Sequence, residues 1–148
     1  QGGITTLEDK SCGCVQKGGS APIMDVIDYG EPVTIKGLNM LYGPGNDLVS
    51  ATALTAAGAH MVLFSTGRGT PFGAPAPTLK IATNSQLAAR KKTWIDFNAG
   101  VVADGERTLD EAGADLYRLV LDVASGKQTC AEKKGFREIS IFKDGVVL

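Results

Sequence analysis

The chain has 148 residues, 43% hydrophobic and 21% charged, the balance of one folded domain with its own core; disorder along the whole length is excluded. Lys and Arg total 15 against 16 Asp and Glu, so a formal charge of -1 leaves no basic excess to mark a nucleic-acid surface. No apolar run nears the ~20 residues that span a bilayer, and Gln1-Gly2-Gly3-Ile4 has neither the basic nor the apolar segment of a signal peptide.

With no initial Met, the chain is expected to begin inside a longer protein or behind an added tag, and a cytoplasmic location is expected. Thr5-Thr6-Leu7-Glu8 reads as a capping box opening a helix that stops at Gly18-Gly19. Within it, Cys12-Gly13-Cys14 offers two thiolates, but no second pair or nearby His completes four ligands. The third cysteine, Cys130, makes the count odd and excludes a full disulfide framework. Residues 20–37 read as a connecting stretch broken by Pro22, Gly30, Pro32 and Gly37, with a helical turn at Ile23–Ile27 and a short strand at Val33–Ile35. Residues 1–37 are thus expected to be a helical lead-in and linker, and 38–148 an α/β core.

Leu38–Tyr42 predicts a strand, Gly43–Asp47 a turn with Asn46 as N-cap, and Leu48–Ala57 a helix whose small residues suit close burial. Met61–Ser65 is a continuous apolar strand of the kind covered on both faces. A glycine- and proline-rich loop spans Thr66–Pro77 before the next strand, Thr78–Ala82. Asn84 or Ser85 caps a short helix to Lys91, and Trp94–Phe97 is a fourth strand closed by Asn98-Ala99-Gly100. Thr108-Leu109-Asp110-Glu111 is a second capping box, and Leu109, Ala112, Leu116, Leu119, Val120 and Val123 keep helical spacing up to Gly126. Glu138–Phe142 and Val146–Leu148 predict a terminal hairpin around Lys143-Asp144-Gly145. The whole predicts a three-layer, Rossmann-like α/β sheet, mostly parallel, of about four to five strands with flanking helices.

Ligands of such sheets bind outside the carboxyl ends of the strands. If the strands are parallel, the loops at 43–47, 66–73, 83–85 and 98–100 share one edge. The connection from Ser65 to Thr78 has no clear helix, and an antiparallel return there would split the loops between two edges. The most informative segment is Ser65-Thr66-Gly67-Arg68-Gly69-Thr70-Pro71-Phe72-Gly73. Its glycines let backbone amides approach a ligand, its threonines supply hydroxyls, and Arg68 can fork a carboxylate or phosphate. The competing reading is a structural Ω-loop whose Arg68 pairs with a local Asp, and spacing alone does not choose between them. Candidate substrate contacts are Thr66, Gly67, Arg68, Gly69 and Thr70, joined by Asn46, Asp47 and Asn84.

Walker and dinucleotide fingerprints are absent. His60, the sole histidine, reads as a hydrogen-bonded structural residue at the start of a buried strand, with no nucleophile elbow for a triad. Lys17 and Lys80 are bases only if desolvated. Asp96 and Asn98 share a strand face. Arg90-Lys91-Lys92 reads as a solvated helix end.

Gly3-Ile4-Thr5-Thr6-Leu7-Glu8-Asp9-Lys10, Val15-Gln16-Lys17-Gly18-Gly19, Thr66–Gly73, Lys80-Ile81-Ala82-Thr83-Asn84, Trp94–Gly100 and Leu121–Gly126 occur in an order that resembles the carboxy-terminal part of the altronate/galactarate dehydratase family. The resemblance covers nearly the whole chain. It implies a hydro-lyase that takes a sugar acid such as altronate to a 2-keto-3-deoxy acid with a divalent metal, Fe2+ or Mn2+. It also implies a longer protein whose amino-terminal β-rich and central domains are partners of this one. This chain alone is expected to hold no metal and to be inactive, and a homo-oligomer is left open. Alternatives are a related lyase on another acid (a galactarate dehydratase or sulfolactate sulfo-lyase) and a non-catalytic packing or oligomerisation domain.

Overall fold

The strands pair in two wholly parallel sheets in the computed structural model, which describes residues 6–141, the side chains of Lys10 and Cys14 excepted. β1 (Ile23–Ile27) lies beside β2 (Leu38–Leu41). β3 (Val62–Thr66), β4 (Thr78–Ala82) and β5 (Phe97–Asn98) form the second sheet in that order. The parallel α/β expectation holds, but the strands divide between two sheets instead of joining in one of four to five.

Central placement makes β4 the covered strand: Thr78, Leu79, Lys80 and Ala82 are all buried. β3, expected to be covered on both faces, is an edge strand, and its Leu63 is 52% exposed. The link from β3 to β4 returns parallel without a helix. Loop residues Phe72 and Ala74 instead bury themselves with Ala51 and Val62, and the Phe72 ring meets Phe64 edge-on at 5.0 Å. The loop thus packs where a crossover helix ordinarily would.

Ile23–Ile27 is a strand, not a helical turn, because Leu38–Leu41 offers it a ladder that outweighs local preference. That ladder ties the expected lead-in to the expected core. Val33–Ile35 is not a strand; Val33 N donates instead to Ala57 O at 2.8 Å, at the end of a helix. Trp94–Phe97 shortens to Phe97–Asn98. The Lys91 carbonyl accepts from Trp94 N at 2.9 Å and Ile95 N at 3.2 Å, so a turn consumes the expected first residues.

The helices are set by their caps. α1 (Leu7–Lys17) opens at Thr6, whose hydroxyl accepts from Asp9 N, one residue later than expected; Thr5 lies outside the described residues. α2 (Asp47–Ala56) is capped by Asn46 and α3 (Ser85–Arg90) by Asn84. α4 (Gly100–Ala103) forms where only a closing turn was expected. α5 (Leu109–Ala124) has the predicted capping box and buries Ala112 and Val123, while Leu109 stays 74% exposed. α6 (Cys130–Lys133) was not predicted, although Thr129 and Glu132 form another capping box. Residues 138–141 form no strand, and Phe142–Leu148 of the expected hairpin lie outside the described residues. Among the described residues no helix is long and apolar enough to cross a membrane.

Two substitutions test this account. Thr108→Ala removes the α5 cap and is expected to lower stability by about 1 kcal/mol, read as a lower urea midpoint at unchanged slope. At Gly100, a Cβ would meet Ser85 N, Asn84 C and Asn84 Cα, the last at 2.6 Å. Backbone cannot swing aside as a side chain does, so Gly100→Ala is expected to lose roughly 1–3 kcal/mol in the same measurement.

Candidate functional site

The register levels Thr66, Ala82 and Asn98, so the loops that follow β3, β4 and β5 emerge on one edge. Cross-links hold them together. Thr83 N donates to Thr66 O at 3.1 Å, and Asn84 Nδ2 donates to Gly67 O at 3.1 Å. Asn98 Nδ2 donates to Ser85 Oγ at 2.9 Å, and the Ser85 hydroxyl donates to the Asp104 carboxylate.

The glycine-arginine loop is braced from inside. The buried Thr66 hydroxyl accepts from Gly69 N at 2.9 Å. Gly69 has φ 88°, and a Cβ there would press on Lys91 Cδ at 3.0 Å and Leu87 Cδ1 at 3.1 Å. Only glycine meets both the backbone angle and that close approach. Arg68 sits exposed on the crest. The ion pairs among the described residues use Arg107, Arg118 and Lys127, so Arg68 does not pair with a local Asp. Neither its guanidinium nor the Thr70 hydroxyl has a hydrogen bond among those residues.

Beneath the loop lies Lys80, 1% exposed. Its Nζ donates to Thr70 O at 2.6 Å and lies 5.8 Å and 5.9 Å from the Phe72 and Phe136 ring centres. Burial pushes its pKa below the usual lysine value; Asp96, Glu138 and Cys130 oppose that shift and Lys91 reinforces it. Asp96 is a joint: Oδ2 accepts from Lys80 N at 2.8 Å and Oδ1 from Cys130 N at 2.7 Å. Burial, then Asp96, pushes the Cys130 thiol up. Glu138 accepts from Gly73 N at 2.9 Å and its own N–H donates to Gly73 O at 2.8 Å, which fastens the far end of the loop. The sequence flagged Lys80 only as one of two bases conditional on desolvation; Lys17, the other, is exposed.

The remaining candidates are dispersed. Asn46 follows β2 in the other sheet and commits its carbonyl oxygen to Leu48 N and Val49 N. Asp47 is exposed in the first turn of α2, and no hydrogen bond or ion pair among the described residues links either to residues 66–70. Asn84 does join the loop, as a brace: its Oδ1 caps α3 through Leu87 N while Nδ2 holds Gly67. His60 is exposed in a bend before β3, not a buried structural residue. Arg90 and Lys92 are solvated as expected, but Lys91 turns inward, its Nζ 4.2 Å from the Trp94 ring centre. Lys91 and Trp94 line a cleft of about 380 Å³ with Arg90 and Lys92. A separate groove of about 420 Å³ between α4 and α5 is lined by apolar residues and glycine. Among the described residues no three His, Cys, Asp or Glu side chains converge as metal ligands, so they do not fit a divalent-metal site.

Residues 1–147 match the family described as D-galactarate/altronate dehydratase, C-terminal. The chain is 56% identical to an altronate dehydratase of Escherichia coli (strain K12) and 51% identical to one of Bacillus subtilis (strain 168), covering 99% of this chain and 30% of each relative. It is 37% identical to a galactarate dehydratase (L-threo-forming) of Escherichia coli (strain K12), over 99% of this chain and 29% of that protein. The chain therefore spans under a third of the length of these relatives, and with a family match across almost every residue it belongs to the D-galactarate/altronate dehydratase C-terminal family.

Proposed function

We propose that this chain is the carboxy-terminal domain of a sugar-acid dehydratase, with altronate as the leading substrate, and that its β3–β4 loop grips the substrate carboxylate through Arg68. The observation that carries the grip is an exposed guanidinium, without an ion pair among the described residues, on a loop braced on both sides at the carboxyl edge shared by parallel strands. The relatives' names favour altronate over other acids, since the two altronate dehydratases are 56% and 51% identical against 37% for the galactarate enzyme.

The chemistry asks for such a grip. Dehydration of a 2,3-dihydroxy acid removes the proton beside the carboxylate, and the electron pair left behind spreads onto the carboxylate oxygens. An enediolate forms, the 3-hydroxyl leaves with a proton, and the resulting enol becomes the 2-keto acid. A guanidinium held against both oxygens binds them more strongly as charge builds, which lowers the barrier and does not merely tighten substrate binding. In this reading the Thr70 hydroxyl adds a donor. Thr66, Gly67 and Gly69 set the crest, and Asn84 fastens it to α3. Asn46 and Asp47 have no part in this reading. The Fe2+ or Mn2+ of the family resemblance has no step assigned to this chain. A bacterial sugar acid is a metabolite of the cytoplasm, where we place the enzyme, with the remaining domains of the longer protein as its partners.

In the full-length enzyme, Arg68→Ala is expected to lower kcat/KM by about 10²–10³-fold while the urea midpoint holds. Arg68→Lys is expected to recover only part of the loss, because an ammonium cannot form the two-pronged contact. Steady-state kinetics with altronate read both. A normal rate in folded Arg68→Ala would sink the grip and favour a packing role for the domain.

A further inference from the structure

The carboxylate grip leaves the buried Lys80 unexplained. An ammonium carries three donors, yet among the described residues Nζ makes one hydrogen bond, to Thr70 O at 2.6 Å. It joins none of the ion pairs found among the described residues. The nearby carboxylates are engaged elsewhere: Asp96 receives Lys80 N and Cys130 N, and Glu138 receives Gly73 N. A packed apolar side chain of similar length would hold the middle of β4 without burying a charge. At 1% exposure Lys80 does not reach a ligand either.

What its one bond does is complete a set. Gly67 O is held by Asn84, Gly69 N by Thr66, and Thr70 O by Lys80. These braces bracket Arg68 on both sides. The Thr70 brace is charge-assisted, and Phe72 and Phe136 close over the same ammonium. A loop pinned this way has less freedom to lose when it binds, and a misplacement of about 1 Å can cost about 100-fold in rate.

We infer that Lys80 is a positioning residue for the dehydration, holding the Arg68 crest in its binding shape through the Thr70 carbonyl. The inference rests on the reading that Arg68 grips substrate.

A double-mutant cycle in the full-length enzyme tests it. Folded Lys80→Met is expected to lower kcat/KM by about 10–100-fold, and the Arg68→Ala/Lys80→Met double variant to be within about twofold of Arg68→Ala alone. Hydrogen exchange at the Gly69 amide should speed up about tenfold in Lys80→Met, with exchange inside β4 unchanged. Additive losses in the cycle, an unchanged kcat/KM in folded Lys80→Met, or a uniform rise in exchange would overturn this inference and leave the grip standing. A normal rate in Arg68→Ala removes the grip first, and the inference falls with it. If Lys80→Met does not fold, Lys80→Gln takes its place; failure of both to fold assigns Lys80 to the fold at large and overturns the inference.

Discussion

Parallel pairing of β4 with a neighbour on each side is the constraint from which the site follows. It sets Thr66, Ala82 and Asn98 level, so three loops that are far apart in sequence leave the sheet at the same edge. Flanking strands close only the edges of β4; the rings of Phe72 and Phe136 lie over its lysine, which becomes a buried side chain. Had the chain returned antiparallel after Ser65, the arginine crest and the Asn84 brace would stand at opposite ends of the sheet.

Two cations separated by twelve positions in sequence meet opposite fates on this scaffold. Arg68 is exposed and has no ion pair among the described residues, while Lys80 gives up water for one carbonyl and two aromatic rings. A weakly hydrated, planar guanidinium suits the outward role, and a compact ammonium fits the narrow space between loop and strand. The proposed grip needs both: an exposed charge on unbraced glycines would sample many positions, and a braced loop without the charge would attract no acid.

Much of this is legible in the sequence. The α5 boundaries, the extent of β4 and the Asn84 cap follow from local chemistry, in which a capping side chain or a hydrophobic period acts within a few residues. The Thr66–Gly73 loop is also visible from its glycines and proline, although spacing alone leaves a ligand loop and a structural Ω-loop equally open. The failures share a different cause. Ile23–Ile27 is a strand only because Leu38–Leu41 lies beside it, and Trp94 and Ile95 stay out of the ladder because the Lys91 carbonyl captures their N–H groups. The burial of Lys80 could not be read from Thr78-Leu79-Lys80-Ile81-Ala82, whose alternation points the lysine outward; its cover comes from outside the strand, from Phe72 in the preceding loop and from the distant Phe136. Capping boxes give a counterexample, because Thr129 and Glu132 announced α6 in plain sequence and the segment is short enough to overlook.

The helix-free return from β3 to β4 has a consequence for how such a domain can diverge. In most α/β sheets the segment that touches ligand and the element that covers the sheet are separate, so one can lengthen or shorten while the other stays put. Here Phe72 and Ala74, a few residues past the arginine, are core residues. Insertions between positions 67 and 77 would drag them out of the interior. If the loop grips substrate as proposed, change within it is held to exchanging side chains at fixed length.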